Sequence, residues 1–449
     1  MSLGALQGPP SVGRKSRTVS WRVVFLVLGG MSLLIGMNAW LLNLGSWAPS
    51  ASQDESVHGF VMTAGFLGTL ISLERAQALA HNEPKNSWAF LAPGLLGAGG
   101  ILLGIGGTAS FWGMVGHLLM IQGALVFSLV YLWLWRRAPL TLLATQILSA
   151  VPLLVATILV LRFDVSALIP LLGAFLIITI ASERAELAQL SMGPRAVPTL
   201  LVLSILLVLT ATGSLLWPEA GARAFGAVQL VLALWLIKDD APRHLIKSKG
   251  IHRYTAIALL TGYFWLIVGG ITWIATAGAV GTPYYDVVIH AIFIGFAFTM
   301  IMAHAPTIFP AVMGIPVPYR PIMYVPLVLL NLGLALRIFA EITVGQGALW
   351  VHGGQINVIA ILLFVITIVG TVIAGEPKKA GEPKRTGKPA KSRSGVTADR
   401  ESDTAGTAKA TESDSTKGST NAPSTERVTQ NLEIDGQDQT QNLSSEVDR

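Results

Sequence analysis

Cysteine is absent from all 449 residues, which removes disulfides, thiolate metal sites, iron–sulfur clusters and cysteine nucleophiles. Charge is the second thing in short supply. The chain carries 31 Lys/Arg and 25 Asp/Glu, but 12 and 13 of these fall in the last 74 residues, Glu376 to Arg449. The first 375 residues keep 31 charges, about 8% of positions, against roughly 25% in soluble domains. So few charges do not cover the surface of a water-soluble body this large, and the sequence predicts an all-α polytopic membrane protein. P-loop, GxSxG and HExxH motifs are missing as well, so ATP hydrolysis and standard hydrolase chemistry have no support. The formal net charge of +6 does not point to nucleic acid, because the basic excess sits in short loops between apolar runs.

What is present is apolar: 52% hydrophobic residues, with 46 Gly and 12 Trp. A bilayer core of about 30 Å needs roughly 20 such residues per helix. Twelve runs qualify, near 21–44, 57–80, 88–107, 111–135, 140–160, 167–183, 197–217, 220–238, 254–277, 285–312, 322–342 and 352–375. The chain thus divides into a basic N-terminal segment (1–20), a twelve-helix transmembrane domain (21–375) and a polar tail (376–449). Arg14, Lys15, Arg17 and Arg22 lead into a full-length span, the pattern of a signal anchor.

Loop charge sets the expected orientation. With a cytoplasmic N-terminus, the inner segments hold Arg136, Arg137, Lys238, Arg243, Lys247, Lys249, Arg253 and Arg320. The outer side keeps Arg162, Arg223 and Arg337, and its loops show Asp54, Glu55 and Glu219. That asymmetry places both termini in the cytoplasm of a cell-membrane protein, with every even-numbered span running inward. The Ser/Thr/Asp/Gln-rich tail has almost no large apolar residues and reads as disordered. Its first stretch, Glu376 to Arg400, holds eight Lys/Arg against three Asp/Glu, a composition suited to anionic headgroups or to a plain solvated flank.

The second span ends in GFLGTLISLERAQALA and the sixth in GAFLIITIASERAELAQL. A shift of 109 residues lays Glu74-Arg75-Ala76 on Glu183-Arg184-Ala185, and a further shift near 109 lands close to His290 in the tenth span. Spans two, six and ten are then equivalent members of three pseudo-repeated four-helix units. Alternatively, the Glu-Arg pairs mark inner helix ends, where such side chains snorkel.

Four of the eight His (His58, His117, His290, His352) fall in the first turns of even-numbered spans, at one depth near the outer face. His304 follows His290 by 14 residues, about 21 Å deeper and within about 40° of the same helix face. Ionisable groups in spans usually face the bundle interior, and neutral imidazole is a common ligand for haem iron and copper. Two imidazoles from two helices at one depth suit the axial positions of a haem, and His117 and His352 are weaker metal candidates. The same residues also serve as plain donors to carbonyls or headgroups. Asp286, one turn before His290, is the candidate to orient its ring. The tenth span continues HAIFIGFAFTMIMAHAPTIFPAVMGIPVPYR from His290 to Arg320. There Gly295 and nearby alanines admit a close neighbour or a flat ligand, while Pro306 and Pro310 free backbone carbonyls. His304, Glu74, Arg75, Glu183 and Arg184 are expected to share an inner polar pocket.

Twelve spans with a His opening the second and another opening the tenth resemble subunit I of the haem–copper oxidases. The pattern His290, Gly295, Met300, Ile301 is more closely similar to the NnrS family of twelve-span haem- and copper-containing proteins linked to nitric oxide metabolism. The resemblance implies bis-His haem through His58 and His290. Arg337 would then be the partner of the propionates, although an i,i+4 pair with Glu341 is the plainer reading. The His and Tyr that hold copper in the oxidases have no counterpart in the sixth or seventh span, so haem is implied ahead of copper. Three functions remain open: a membrane haem protein in electron transfer or nitric oxide metabolism with a redox partner protein, a secondary transporter, and a non-catalytic assembly or sensory protein.

Overall fold

The computed structural model describes residues 21–49, 55–81, 83–188, 192–240 and 242–375. The expected N-terminal segment and disordered tail lie outside the described residues. Within them the chain runs as long helical rods joined by short turns, with no strand. Ten rods are α1 (Val23–Asn43), α3 (Pro84–Gly106), α4 (Phe111–Arg137), α5 (Thr141–Leu159), α6 (Val165–Leu187), α7 (Ala196–Leu216), α8 (Pro218–Asp239), α9 (Ile251–Thr276), α11 (Pro321–Thr343) and α12 (Ala348–Ala374). The other two are composite. In α2, His58–Phe60 leads into a π-helical Val61–Leu67 and then an α-helical Gly68–Ala80. In α10, Pro283–His290 leads into a π-helical Ala291–Phe298 and then Thr299–Met313.

Eleven of the rods are long and apolar enough to cross a membrane; α2, which carries Glu74 and Arg75 in its second half, is the remaining one. Large apolar side chains such as Val27, Leu209, Leu234 and Ile366 stand exposed around the bundle. Apolar exposure on this scale fits a lipid environment rather than water.

Helix α6 is the hub. Every residue from Leu168 to Ala185 is buried, as expected of a helix that is apolar on all sides. It packs on α5, α7 and α10, while α2 packs on α1, α3 and the lower half of α10. Close helix contacts rest on small residues: a Cβ on Gly99 of α3 would lie 2.7 Å from the Gly116 carbonyl of α4, and the reverse distance is also 2.7 Å. Any side chain there forces the pair apart.

One expectation changes. Helix α6 runs on to Leu187, past the expected end at 183, so Glu183 and Arg184 are interior residues, each 7% exposed. They do not snorkel at a helix end. Thr255 of α9 donates to the Ala303 carbonyl at 3.3 Å, a cross-helix bond one residue from the Met302 carbonyl that Pro306 leaves without its helical donor.

Candidate functional site

At the end of the bundle where α2 and α10 begin, five rods deliver a compact aromatic and ionic cluster. Gly36 of α1 lets α2 approach: a Cβ there would sit 2.6 Å from the Met62 sulfur. His58 Nδ1 thereby lies 2.8 Å from the Gly36 carbonyl. His290 Nδ1 lies 3.0 Å from the Asp286 carbonyl and 3.1 Å from its Oδ1. Both imidazoles pack on one indole, Trp40, at ring-centre distances of 5.1 Å (His58) and 5.4 Å (His290).

Arg337 of α11 closes the cluster. It is 1% exposed, and its Nε donates to Asp286 Oδ2 at 2.8 Å while Nη2 donates to Oδ1. Its Cζ lies 4.0 Å from the Trp40 ring centre and 4.6 Å from that of Trp350 in α12. A guanidinium this deep is tolerated because a bidentate carboxylate and two ring faces replace water. Three buried polar atoms here have no hydrogen-bond partner: Arg337 Nη1, Trp350 Nε1 and Glu341 Oε2. The i,i+4 pair of Arg337 with Glu341 does not form. Asp286 takes the guanidinium, and Glu341 Oε1 accepts from Gln346 Nε2 at 3.2 Å instead.

The other end of α2, α6 and α10 is acidic. Arg75 donates to Glu74 Oε1 at 2.7 Å and to Glu186 Oε2 at 3.0 Å, and stands 3.9 Å from Glu183 Oε1. Arg184 makes a bidentate pair with Asp240, at 2.9 and 2.8 Å, and its Nη1 lies 3.4 Å from His304 Nε2. Tyr263 donates to the same Asp240 at 2.5 Å. Between these networks lies a cavity of about 450 Å³ whose walls include Phe66, Ile180 and Phe298, with Glu74, Glu183 and His304 as its ionisable lining. Helices α2, α6 and α10 line this cavity together with α1 and α12.

The structure thus brings together His58, His290 and Arg337 at one end, and Glu74, Arg75, Glu183, Arg184 and His304 at the other. It does not bring His117 or His352 to the first cluster. His117 packs on Phe60 at 5.8 Å, and the exposed His352 faces Gln355 Oε1 at 3.1 Å. No group of three or more metal-ligating side chains occurs among the described residues. Gly295 accommodates a neighbour rather than a flat ligand: a Cβ there would lie 2.6 Å from Trp265 Cβ, and that indole is held by Asn331 at 2.7 Å. His290 touches Trp40 of α1, whereas His304 lies against Arg184 of α6. The stripe arithmetic assumed 100° per residue, whereas the eight π-wound residues Ala291–Phe298 each turn through less.

Sequence reading missed Asp240, Tyr263, Glu186, Trp40 and Trp350. Asp240 sits in a Lys-Asp-Asp run that resembles a solvated loop, yet its side chain is fully buried. Residues 22–373 match a family described as a domain of unknown function, DUF8744. No curated protein matches the chain.

Proposed function

We propose, for a chain that belongs to the DUF8744 family, that the cluster around Trp40 is a haem site in which His58 and His290 would hold the iron. One observation carries this reading. Each imidazole is held through Nδ1 by a backbone carbonyl, with Asp286 as a second acceptor for His290, which leaves the Nε2 lone pair of both rings for a metal. That is how proteins set the tautomer and direction of a metal-bound histidine. The donor set fits haem iron, and the unpartnered Arg337 Nη1 is a donor suited to a propionate. Bound haem supplies one-electron chemistry. The chain's own part is to fix both rings, to hold Arg337 through Asp286, and to keep water away with Trp40 and Trp350. Trp40, which touches both imidazoles, is the side chain a macrocycle has to displace or stack upon.

The resemblance to the NnrS family and the haem–copper oxidases supports a role in electron transfer or nitric oxide metabolism with a redox partner protein. Copper has less support than haem, because no group of three or more His, Asp or Glu side chains that could hold a metal ion occurs among the described residues. The repeat of Glu74-Arg75-Ala76 at Glu183-Arg184-Ala185 supports three four-helix units, and the loop charges support a cell-membrane protein with cytoplasmic termini and an outward-facing histidine end.

The test is the optical spectrum of the purified protein. A low-spin bis-His Soret band is expected, abolished by His58→Ala or His290→Ala and unchanged by His81→Ala. A folded protein that shows no Soret band after haem supplementation rejects the site. A secondary transporter is the second reading, favoured by the cavity that α2 and α10 line from the ends of their two π-helical segments onward.

A further inference from the structure

The acidic end holds a charge imbalance that the haem reading does not use. Arg75 spends its two terminal nitrogens on Glu74 and Glu186. Glu183, whose side chain is 9% exposed, is left 3.9 Å from that guanidinium, beyond hydrogen-bond length. Its Oε1 is buried without a hydrogen-bond partner. Arg184, the next cation, is committed to Asp240 by two bonds. Three carboxylates therefore share one arginine, a formal excess of two negative charges, and two of them (Glu74 and Glu183) line the cavity.

The rest of the cavity is a hydrocarbon slot. Phe66, Phe298 and Met300 form part of its walls, and Val369 and Ile373 of α12 are both cavity lining and exposed perimeter, at 51% and 80%. The slot is thus reached from the lipid side of the bundle. A buried carboxylate oxygen beside such a space without a donor is costly unless the group takes a proton or a cation. A small inorganic cation does not suit apolar walls, and no group of three metal-ligating side chains occurs among the described residues.

We propose that this cavity binds a lipid-soluble amine, with its apolar body between α1, α2, α10 and α12 and its protonated nitrogen on Glu183. The excess negative charge selects a cation over a neutral alcohol, and Glu74, its side chain 22% exposed, lines the same cavity as a second acceptor. The site is independent of the histidine cluster, and its readout needs no haem.

The experiment uses the full-length protein in lipid nanodiscs and dansylcadaverine, a fluorescent primary amine, against its neutral N-acetyl derivative. Saturable binding of the amine is expected to be about tenfold tighter than that of the acetylated probe. Glu183→Gln keeps the side chain's shape and should bring the amine down to the acetylated level. Glu74→Gln should give a smaller fall in the same direction, and Ala305→Phe, which fills the cavity lining, should weaken both probes. Equal affinity of the two probes, no saturable binding of either, or unchanged amine affinity in both carboxamide variants overturns the proposal. The Soret band reports the histidine end separately, so the two assignments fail independently.

Discussion

Both ends of the bundle bury arginines among carboxylates, and the count of partners separates them. At the histidine end a single guanidinium meets Asp286 in two bonds, with indoles on it at 4.0 and 4.6 Å. At the acidic end Arg184 is satisfied in the same way by Asp240, but Arg75 is shared among three carboxylates beside a cavity. The same residue types thus give a closed ion pair in one place and an open acceptor in another. Stoichiometry and packing decide which.

The comparison breaks most visibly at Arg337. Arg337→Ala leaves Asp286 buried without its cation and should destabilise the detergent-purified protein by about 3–5 kcal/mol. The double substitution Arg337→Met/Asp286→Asn should recover much of that loss, and thermal unfolding of the two variants measures both. No recovery would mean that packing of Arg337 between the indoles, and not its charge, matters. Asp240→Asn comes next. It keeps one acceptor for Arg184 and Tyr263 but removes the charge, for an expected loss of about 2 kcal/mol. The smallest effect is expected at Glu183. In ligand-free protein Glu183→Gln breaks no hydrogen bond at Oε1 and relieves repulsion from Glu74 and Glu186, so stability should hold or rise by up to about 1 kcal/mol. A loss comparable to that of Asp240→Asn would show that Glu183 is tied into the network after all, and would erase the contrast between the two carboxylates.

The spans were legible because apolar run length is a local property of sequence. The depth of His58 and His290 followed from counting residues along two such runs, and the placement of Asp286 one turn before His290 followed from helical spacing. Partner choice was not legible. Arg337 has Glu341 four residues along its own helix, yet it bonds Asp286 because α10 packs against α11 there, a tertiary fact that no local spacing encodes. Asp240 was hidden by its neighbours Lys238 and Asp239, which give it the look of a loop. Trp40 carries no charge, and its role depends on α2, α10, α11 and α12 meeting at one ring. The winding of Val61–Leu67 and Ala291–Phe298 was invisible too: neither segment contains a Pro, and the single Gly of each, Gly65 and Gly295, reads as a close-packing position rather than a change of winding.

Those two segments bear on how the chain tolerates insertions and deletions. An i→i+5 turn holds more residues than an α-turn, so α2 and α10 each carry surplus chain between their two functional ends. Losing one residue from 61–67 can be absorbed by tightening the local winding, with His58 and Glu74 still facing their present neighbours. In the uniformly wound α6 there is no such slack: one residue lost between Leu168 and Ile180 rotates Glu183 by about 100°. The hub of the bundle is therefore fixed in length, and the two helices that bear the histidines are where length can vary.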